Sequence, residues 1–281
     1  MKKGLLFVRG KVKMKKLVPI MFILICAVII VSGCGRKESN ELIVGMELAY
    51  PPFETKDEYG NPTGISVDLA RAFGEYAGRP VKIENISWDG LIPALQTGKV
   101  DMVISSMTIK EERLEKIDFS KPYARALLAL LVNSGSDIGK AGDLDQEGKI
   151  VAVKTGSTGQ IYAEKNLKRA KIIPFPDESA CVTEVVQGKA DAFIYDQLTI
   201  YRNNLKNPET TRAVFIPFQD VEYWGIGVKK GNQELVKQLN MFIDDYYAQN
   251  GFDAITEKYL KEEKAAFDKN GFAWFFSDLD K

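Results

Sequence analysis

The chain has 281 residues, 45% hydrophobic and 27% charged, which allows one large domain or two smaller ones with real cores. The first 33 residues hold seven basic residues and no acid, so the rest of the chain carries 31 basic against 38 acidic residues. The excess of acidic residues gives this part of the chain a negative net charge, which argues against nucleic-acid binding. With no histidine and three cysteines, we expect no metal, no cofactor and no disulfide framework, and we expect Cys181 to be a small buried hydrophobe.

The first segment of the chain has the three parts of a signal peptide. A basic stretch ends at Lys16, an apolar run spans residues 17–31, and the small residues Ser32 and Gly33 precede Cys34. This ending resembles the bacterial lipobox, which implies a lipoprotein signal peptide over residues 1–33, a lipid (palmitate) on Cys34 and a polar tether over residues 34–40. An uncleaved membrane anchor is the competing interpretation, and the sequence leaves open whether Met14 is the true start.

The next segments predict alternating strands and helices. Strands are expected at residues 41–46 and 81–86, and helices at 64–77 and 87–97, with Gly78 and Gly98 ending the helices. Two prolines after the first strand stiffen the turn that carries Tyr50. This order is typical of a parallel α/β sheet.

Residues 100–123 combine a buried strand with a predicted helix. An apolar run at 100–105 indicates the strand, and residues 109–117 indicate the helix, with a capping box from Thr108 to Glu111. The N-terminus of such a helix attracts anions, and Arg113 offers a planar fork of donors that fits a carboxylate. The simpler alternative is that Arg113 is a solvated charge beside Glu111 or Glu112.

Two internal echoes predict two similar lobes. Residues 95–105 and 185–196 share a helix end, a Gly-Lys turn, an aspartate and a buried strand, and residues 42–47 are echoed by 150–154. Two apolar segments, 124–132 and 221–228, are expected to cross between the lobes. We therefore assign residues 41–126 and 226–281 to a discontinuous lobe 1 and residues 127–225 to lobe 2. Helices are expected at 234–247 and 252–261.

The order Ser105-Ser106-Met107-Thr108, Arg113 and Ile117 to Tyr123 resembles the bacterial extracellular solute-binding proteins for polar amino acids, the ligand-capturing subunits of ABC importers. The resemblance extends from about Leu42 to Leu260. It implies the type II periplasmic-binding-protein (Venus-flytrap) fold: two Rossmann-like α/β lobes on a two-strand hinge, with the ligand between them. It also implies a monomer that is not an enzyme, an ABC permease as partner, and a place on the outer face of the cell membrane.

Ligands of such sheets lie at the carboxyl ends of strands and between domains. The residues there offer a guanidinium for a carboxylate, an acid for an ammonium and aromatic faces for a side chain. By resemblance, Arg113 corresponds to the carboxylate clamp and Asp196 to the ammonium partner, while the aromatic rings flank the substrate side chain. The full candidate set is Glu47, Tyr50, Trp88, Ser105, Ser106, Met107, Thr108, Arg113, Lys154, Ser157, Thr158 and Asp196.

Ligand specificity is less well defined by the sequence. Lys154 resembles glutamine-binding members, whereas an acid at Glu47 suits a cationic or amide side chain. An ion pair between the two would leave a neutral polar pocket, so we favour a glutamine-like ligand over a basic amino acid or cystine. A dehydratase or a sensor domain on the same fold stays open as an alternative. The aromatic tail, residues 261–281, is expected to pack on a lobe surface, with permease docking as the alternative.

Overall fold

The computed structural model describes residues 1, 40–215, 218–277 and 279. It divides the chain into two units, Met1–Asn40 and Glu41–Lys281. The predicted signal peptide, the candidate lipid site Cys34 and the tether up to residue 39 lie outside the described residues, apart from Met1. Among the helices of the described residues, none is both long and apolar enough to cross a membrane.

The first of two large sheets has the strand order β4-β1-β5-β14-β6. Strand β1 pairs in parallel with β4 and β5, while β14 runs antiparallel to β5 and β6. The strands of this sheet are β1 Leu42–Met46, β4 Val81–Asn85, β5 Met102–Val103, β6 Ile117–Phe119 and β14 Gly227–Lys229. The hairpin strands β2 Thr55–Lys56 and β3 Pro62–Thr63 stand apart from it. Because β14 comes from a distant part of the sequence, this sheet is built from a discontinuous stretch of chain.

The second sheet has the order β10-β9-β11-β8-β12, with β9 parallel to β10 and β11 and with β8 antiparallel to β11 and β12. Its strands are β8 Leu128–Asn133, β9 Ile150–Lys154, β10 Lys171–Phe175, β11 Ala192–Asp196 and β12 Thr211–Val214. Each sheet has buried apolar residues on both faces, as a sheet covered by helices requires. The predicted fold class, two α/β lobes, is confirmed.

The helices occupy the connections between these strands and the C-terminal part of the chain. Short 3₁₀ helices cover residues 88–90 and 141–144. The α-helices are α1 Ile65–Ala77, α2 Leu91–Thr97, α3 Glu111–Leu114, α4 Thr158–Asn166, α5 Glu178–Val186, α6 Gln197–Lys206, α7 Gln233–Ala248, α8 Gly251–Tyr259 and α9 Lys261–Asn270. Cys181 in α5 is fully buried, as predicted.

Two strands connect the lobes and pair with each other. Strand β7, Ala124–Ala126, leaves the first sheet, and β13, Glu222–Trp224, returns to it. They form a separate antiparallel ribbon in which Tyr223 lies opposite Arg125. This ribbon is the two-strand hinge, and it is shorter than the predicted crossover segments 124–132 and 221–228, because β8 begins at Leu128 and β14 at Gly227.

The helix predicted over residues 109–117 is wrong in its extent, because α3 spans only Glu111–Leu114. Residue Ile117 instead begins β6 and pairs with Lys229 of β14. Pairing within the sheet overrides local helix propensity here, since a buried edge strand satisfies backbone groups that an exposed helix end would leave to water.

The capping box from Thr108 to Glu111 is also wrong. The N-cap of α3 is Lys110, and it makes no side-chain capping hydrogen bond. Thr108 lies in an isolated antiparallel bridge to Trp224 of the hinge ribbon. The pairing places Thr108 in an extended connection, two residues before the helix cap.

The C-terminal tail is packed into the protein over its described part. Phe267, Trp274, Phe275 and Phe276 are all buried. The ring of Phe275 lies 5.5 Å from that of Phe53 and 5.6 Å from that of Trp224. Its carbonyl accepts a hydrogen bond of 2.7 Å from the backbone N–H of Arg125. The tail therefore packs on the first lobe and pairs with the hinge ribbon.

The same tail also contacts the second lobe. The guanidinium of Arg202, on α6, donates to the Glu263 carboxylate at 2.6 and 2.8 Å. The ring of Phe267 lies 5.9 Å from Tyr201, and Phe272 lies 4.6 Å from Phe215. The expected packing on a lobe surface thus extends to both lobes, at the side where the ribbon joins them.

We expect the substitution Phe275→Ala to lower the free energy of unfolding by about 3–5 kcal/mol, because it removes a buried ring from this aromatic cluster. Urea denaturation followed by tryptophan fluorescence measures the change. The matched control is Tyr59→Ala, whose side chain is 81% exposed, and it should change the free energy by less than about 0.5 kcal/mol. Equal stability of the two variants would contradict the packing described for the tail.

Candidate functional site

A cavity lies where the strand ends of the two lobes face each other. The predicted residues that line it are Glu47, Tyr50, Trp88, Ser105, Ser106, Thr108, Arg113, Lys154, Ser157, Thr158 and Asp196. Met107 is the exception, because it is buried in the apolar cluster with Leu91 and Phe119.

The strand order explains why these distant residues meet. Glu47 directly follows β1, and Ser105 comes shortly after β5 in the same sheet. In the second sheet, Lys154 ends β9 and Asp196 ends β11. The carboxyl ends of parallel strands share one edge of a sheet, so each lobe presents a row of polar side chains to the cleft.

Arg113 is a buried cation that bonds to both lobes. Its side chain, on α3, donates from Nη1 to the carbonyl of Thr108 at 2.7 Å and from Nη2 to the carbonyl of Gly156 at 3.0 Å. The guanidinium also lies over the Trp88 ring, 5.2 Å from its centre. Burial lowers the pKa of Arg113 to about 10, so the group is charged at neutral pH. The alternative of a solvated surface charge is wrong.

A second interlobe contact is the ion pair between Lys154 Nζ and Glu47 Oε2, which the sequence predicted. Both side chains are largely buried, and Glu47 Oε1 also accepts a hydrogen bond of 3.3 Å from the backbone N–H of Trp88. Lys154 Nζ lies 5.6 Å from the centre of the Trp88 ring, so this ring adjoins both cations of the cavity. With Arg113, the pair holds the lobes in a closed arrangement.

Asp196 has two roles, one for each carboxylate oxygen. Its Oδ1 caps α6 by accepting hydrogen bonds from the N–H groups of Leu198 and Thr199. Its Oδ2 is buried beside the Tyr50 hydroxyl, and neither atom makes a hydrogen bond of good geometry within the described protein. Burial raises the pKa of Asp196, and a cation beside Oδ2 would lower it again. One oxygen is thus structural, while the other faces the cavity.

The N-terminus of α4 contributes backbone donors from the second lobe. Ser157 is the N-cap, and its hydroxyl accepts a hydrogen bond of 3.2 Å from the N–H of Gln160. Gly159 permits the helix to approach β11, since a Cβ there would lie 2.3 Å from the carbonyl oxygen of Ile194. Ser157 and Thr158 therefore lie at a helix end whose dipole favours a negative charge.

Glu54 is a cavity residue that the sequence analysis missed. It is only 1% exposed, and burial raises its pKa to about 8. Its signal in the sequence was weak, because it follows the turn-forming prolines in a stretch interpreted as a loop. The other missed lining residues are Ala126, Leu128, Tyr195, Glu222 and Trp224. Four of them lie in or beside the hinge ribbon, where residues of crossover segments are expected to border a cleft.

Glu178 is a further acid near this region, although it does not line the cavity. It begins α5, and its Oε2 is buried without a hydrogen bond within the described protein. Burial, followed by the charge of Asp196, raises the pKa of Glu178 to about 8, so it is mostly neutral at pH 7. The acidic and basic side chains that line the cavity are Glu47, Glu54, Arg113, Lys154, Asp196 and Glu222. Glu222 is held by Lys110 at 2.7 Å.

The chain matches the model of the bacterial extracellular solute-binding proteins, family 3, over residues 42–262. It is 30% identical over 254 residues to a probable histidine-binding protein of Neisseria gonorrhoeae, which covers 85% of this chain and 94% of the relative. It is 29% identical to the ABC transporter glutamine-binding protein GlnH of Bacillus subtilis (strain 168), covering 90% of this chain and 100% of the relative.

A similar solved structure is an ancestral arginine-binding protein bound to glutamine. The two chains are 37% identical with a TM-score of 0.72, and the match covers 79% of this chain and 98% of the other. An ancestral arginine-binding protein bound to arginine is similar as well, with a TM-score of 0.73 and 37% identity. These neighbours are amino-acid-binding proteins.

Proposed function

The chain belongs to the bacterial extracellular solute-binding proteins, family 3, and we propose that it is the substrate-binding subunit of an ABC importer that captures a polar amino acid. The proposal rests on one observation above all. A buried guanidinium from the first lobe, Arg113, and a buried carboxylate oxygen from the second, Asp196 Oδ2, line the same interlobe cavity. A free amino acid carries the two complementary charges at its α-carbon.

Each lobe supplies part of the polar contact that this ligand needs. The α-carboxylate pairs with Arg113, supported by the N-terminal end of α4 at Ser157 and Thr158, while Ser106 and Thr108 supply further polar contacts to the two α-groups. The α-ammonium pairs with Asp196. Because the groups come from opposite sides of the cleft, the ligand stabilises the closed form of the hinge over the open form.

The charge balance of the cavity favours a neutral polar side chain. Once Arg113 and Asp196 bind the α-groups, Lys154 and Glu47 neutralise each other between the walls that Tyr50 and Trp88 provide. This supports a ligand such as glutamine, an amino acid that the relative GlnH is named for and that the ancestral protein is bound to. A basic amino acid or cystine is the alternative of the same kind.

A binding role without catalysis is consistent with the groups in the cavity. The sequence contains no histidine, the acids Glu47 and Asp196 already have partners or a binding role, and the carboxyl group of Glu54 accepts hydrogen bonds from three serine hydroxyls. An enzyme on this fold, such as a dehydratase, would need a free general acid or base beside the substrate. Incubation with prephenate or arogenate tests this alternative, and no turnover is expected.

We also propose that the chain is a lipoprotein held on the outer face of the cell membrane through Cys34, with an ABC permease as its partner. The support is the three-part leader and the Ser-Gly-Cys sequence at residues 32–34. A single acyl chain anchors weakly, so stable anchoring takes more than one chain at the modified cysteine. The family, described as extracellular, supports an extracytoplasmic place for the folded part.

We expect Arg113→Ala and Asp196→Ala each to weaken binding by at least about 3 kcal/mol, because each leaves a buried ligand charge without its partner. Calorimetry with the standard amino acids and cystine, on the protein from residue 35 onward, identifies the ligand and measures the loss. The controls are Arg169→Ala and Asp137→Ala, whose side chains are 62% and 80% exposed. Unchanged affinity in both site variants, with circular dichroism spectra that show a native fold, would contradict the proposed site.

We expect Lys154→Met to shift the preference from glutamine to arginine by at least about tenfold, because Glu47 is then left as an uncompensated buried charge that a ligand cation can pair with. Glu47→Gln should shift it in the opposite direction. The ratio of the two dissociation constants is measured for each variant. Lys189→Met, at a side chain that is 61% exposed, is the control. A ratio that stays constant throughout would show that the pair does not set specificity.

We expect Cys34→Ala to abolish labelling by radioactive palmitate and to prevent stable membrane attachment, because the acceptor thiol is lost. Labelling and fractionation of cells that express the full chain measure both effects. Cys26→Ala serves as the control and should label like wild type. A Cys34→Ala protein that stays in the membrane fraction would instead support the uncleaved anchor.

A further inference from the structure

Glu54 lies beneath the cavity with three hydroxyl groups around its carboxyl group. Ser66 Oγ donates to its Oε2 at 2.5 Å, Ser106 Oγ to the same oxygen at 3.2 Å, and Ser105 Oγ to Oε1 at 3.4 Å. The three serines come from different parts of the first lobe, the start of α1 and the segment after β5. One side chain therefore joins two elements at the floor of the site.

The segment that Glu54 contacts has an unusual backbone. Ser106 has a φ of 49°, in the left-handed region that residues with a Cβ rarely adopt. A non-glycine residue is strained in this region, so the surrounding structure has to hold it in place. The hydrogen bond from the Ser106 hydroxyl to Glu54 is such a restraint.

Glu54 also connects this segment to the aromatic wall of the cavity. Its backbone pairs with that of Tyr50 in an isolated bridge, with hydrogen bonds of 2.8 and 2.9 Å. Ser105, which donates to Glu54, accepts a hydrogen bond of 3.0 Å from the N–H of Glu47. The carboxyl group thus lies at the junction of three segments that each carry a candidate ligand contact.

We propose that Glu54 is a positioning residue, whose carboxyl group holds the Ser105–Ser106 segment in the conformation that contacts the ligand's α-groups. This inference rests on the proposed function and extends it, because Glu54 acts through Ser105 and Ser106 and its own oxygens are occupied by hydroxyl groups. The role differs from general support of the fold, because its effect should pass through the conformation of Ser106.

The state of the carboxyl group determines which substitution should preserve this role. The titratable groups around it are Glu47, Lys154, Tyr123 and Tyr195. Burial is the main cause of its raised pKa of about 8, and the charge of Glu47 adds to the shift. At pH 6.5 the group is therefore a neutral acid, and the amide of glutamine is its closest match in shape and charge.

The experiment compares Glu54→Ala and Glu54→Gln at pH 6.5, with L-glutamine and L-arginine as probes and calorimetry as the measurement. We expect Glu54→Ala to weaken binding of the preferred probe at least about tenfold, and Glu54→Gln to stay within about threefold of wild type. Glu58→Ala is the matched control, since that glutamate is exposed in the adjacent hairpin loop. Thermal unfolding of every variant identifies any that fail to fold.

A second comparison separates positioning from general stability. In a Ser106→Gly background the left-handed conformation is available without strain, so adding Glu54→Ala should weaken binding by less than it does in wild type. Equal losses in the two backgrounds, or a Glu54→Ala protein that binds like wild type, would overturn the proposal. Wild-type protein that binds no amino acid at all would instead contradict the proposed function.

Discussion

The closed form of this protein depends on one buried cation, the guanidinium of Arg113, which forms hydrogen bonds with both lobes. A guanidinium removed from water has to recover hydrogen bonds and a favourable electrostatic environment. Arg113 does so with the carbonyl of Thr108 on its own side, the carbonyl of Gly156 on the other and the face of Trp88. Since one of these partners belongs to the second lobe, the environment of the charge changes whenever the lobes separate.

The other polar contacts of the cavity follow from the topology of the sheets, because the strand ends of the two lobes face each other across the cleft. In both sheets the strands that carry the predicted polar cavity residues are parallel, so their carboxyl ends emerge on one edge. Glu47 directly follows β1 and Lys154 ends β9, and the internal echo between residues 42–47 and 150–154 relates these two positions, whose side chains form the ion pair. The two partners of this ion pair therefore lie at the ends of the two strands that resemble each other in sequence.

The sequence predicted best where periodicity and turn residues agree with the tertiary environment. The strand Leu42–Met46 and the helix Ile65–Ala77, with Gly78 in a left-handed C-cap, formed as expected. The prediction failed for Thr108, because its pairing with Trp224 depends on a strand over a hundred residues away. Glu54 was missed for a similar reason, since its importance comes from serines that only the fold brings to it.

The C-terminal tail, over its described residues, packs against the hinge ribbon but does not line the cavity. Its match to the family model ends at residue 262, yet the aromatic residues beyond that point cover Phe53 and Trp224, close to the ligand wall. Tyr50 stacks on Phe53, with ring centres 5.2 Å apart, so the tail lies one ring behind a residue of the cavity. Because the same segment contacts Arg202 of the second lobe, a change of hinge angle must either carry the tail with one lobe or rearrange its contacts with the other. The packing behind Tyr50 and the geometry of the hinge are therefore physically linked through a segment that the family model does not include.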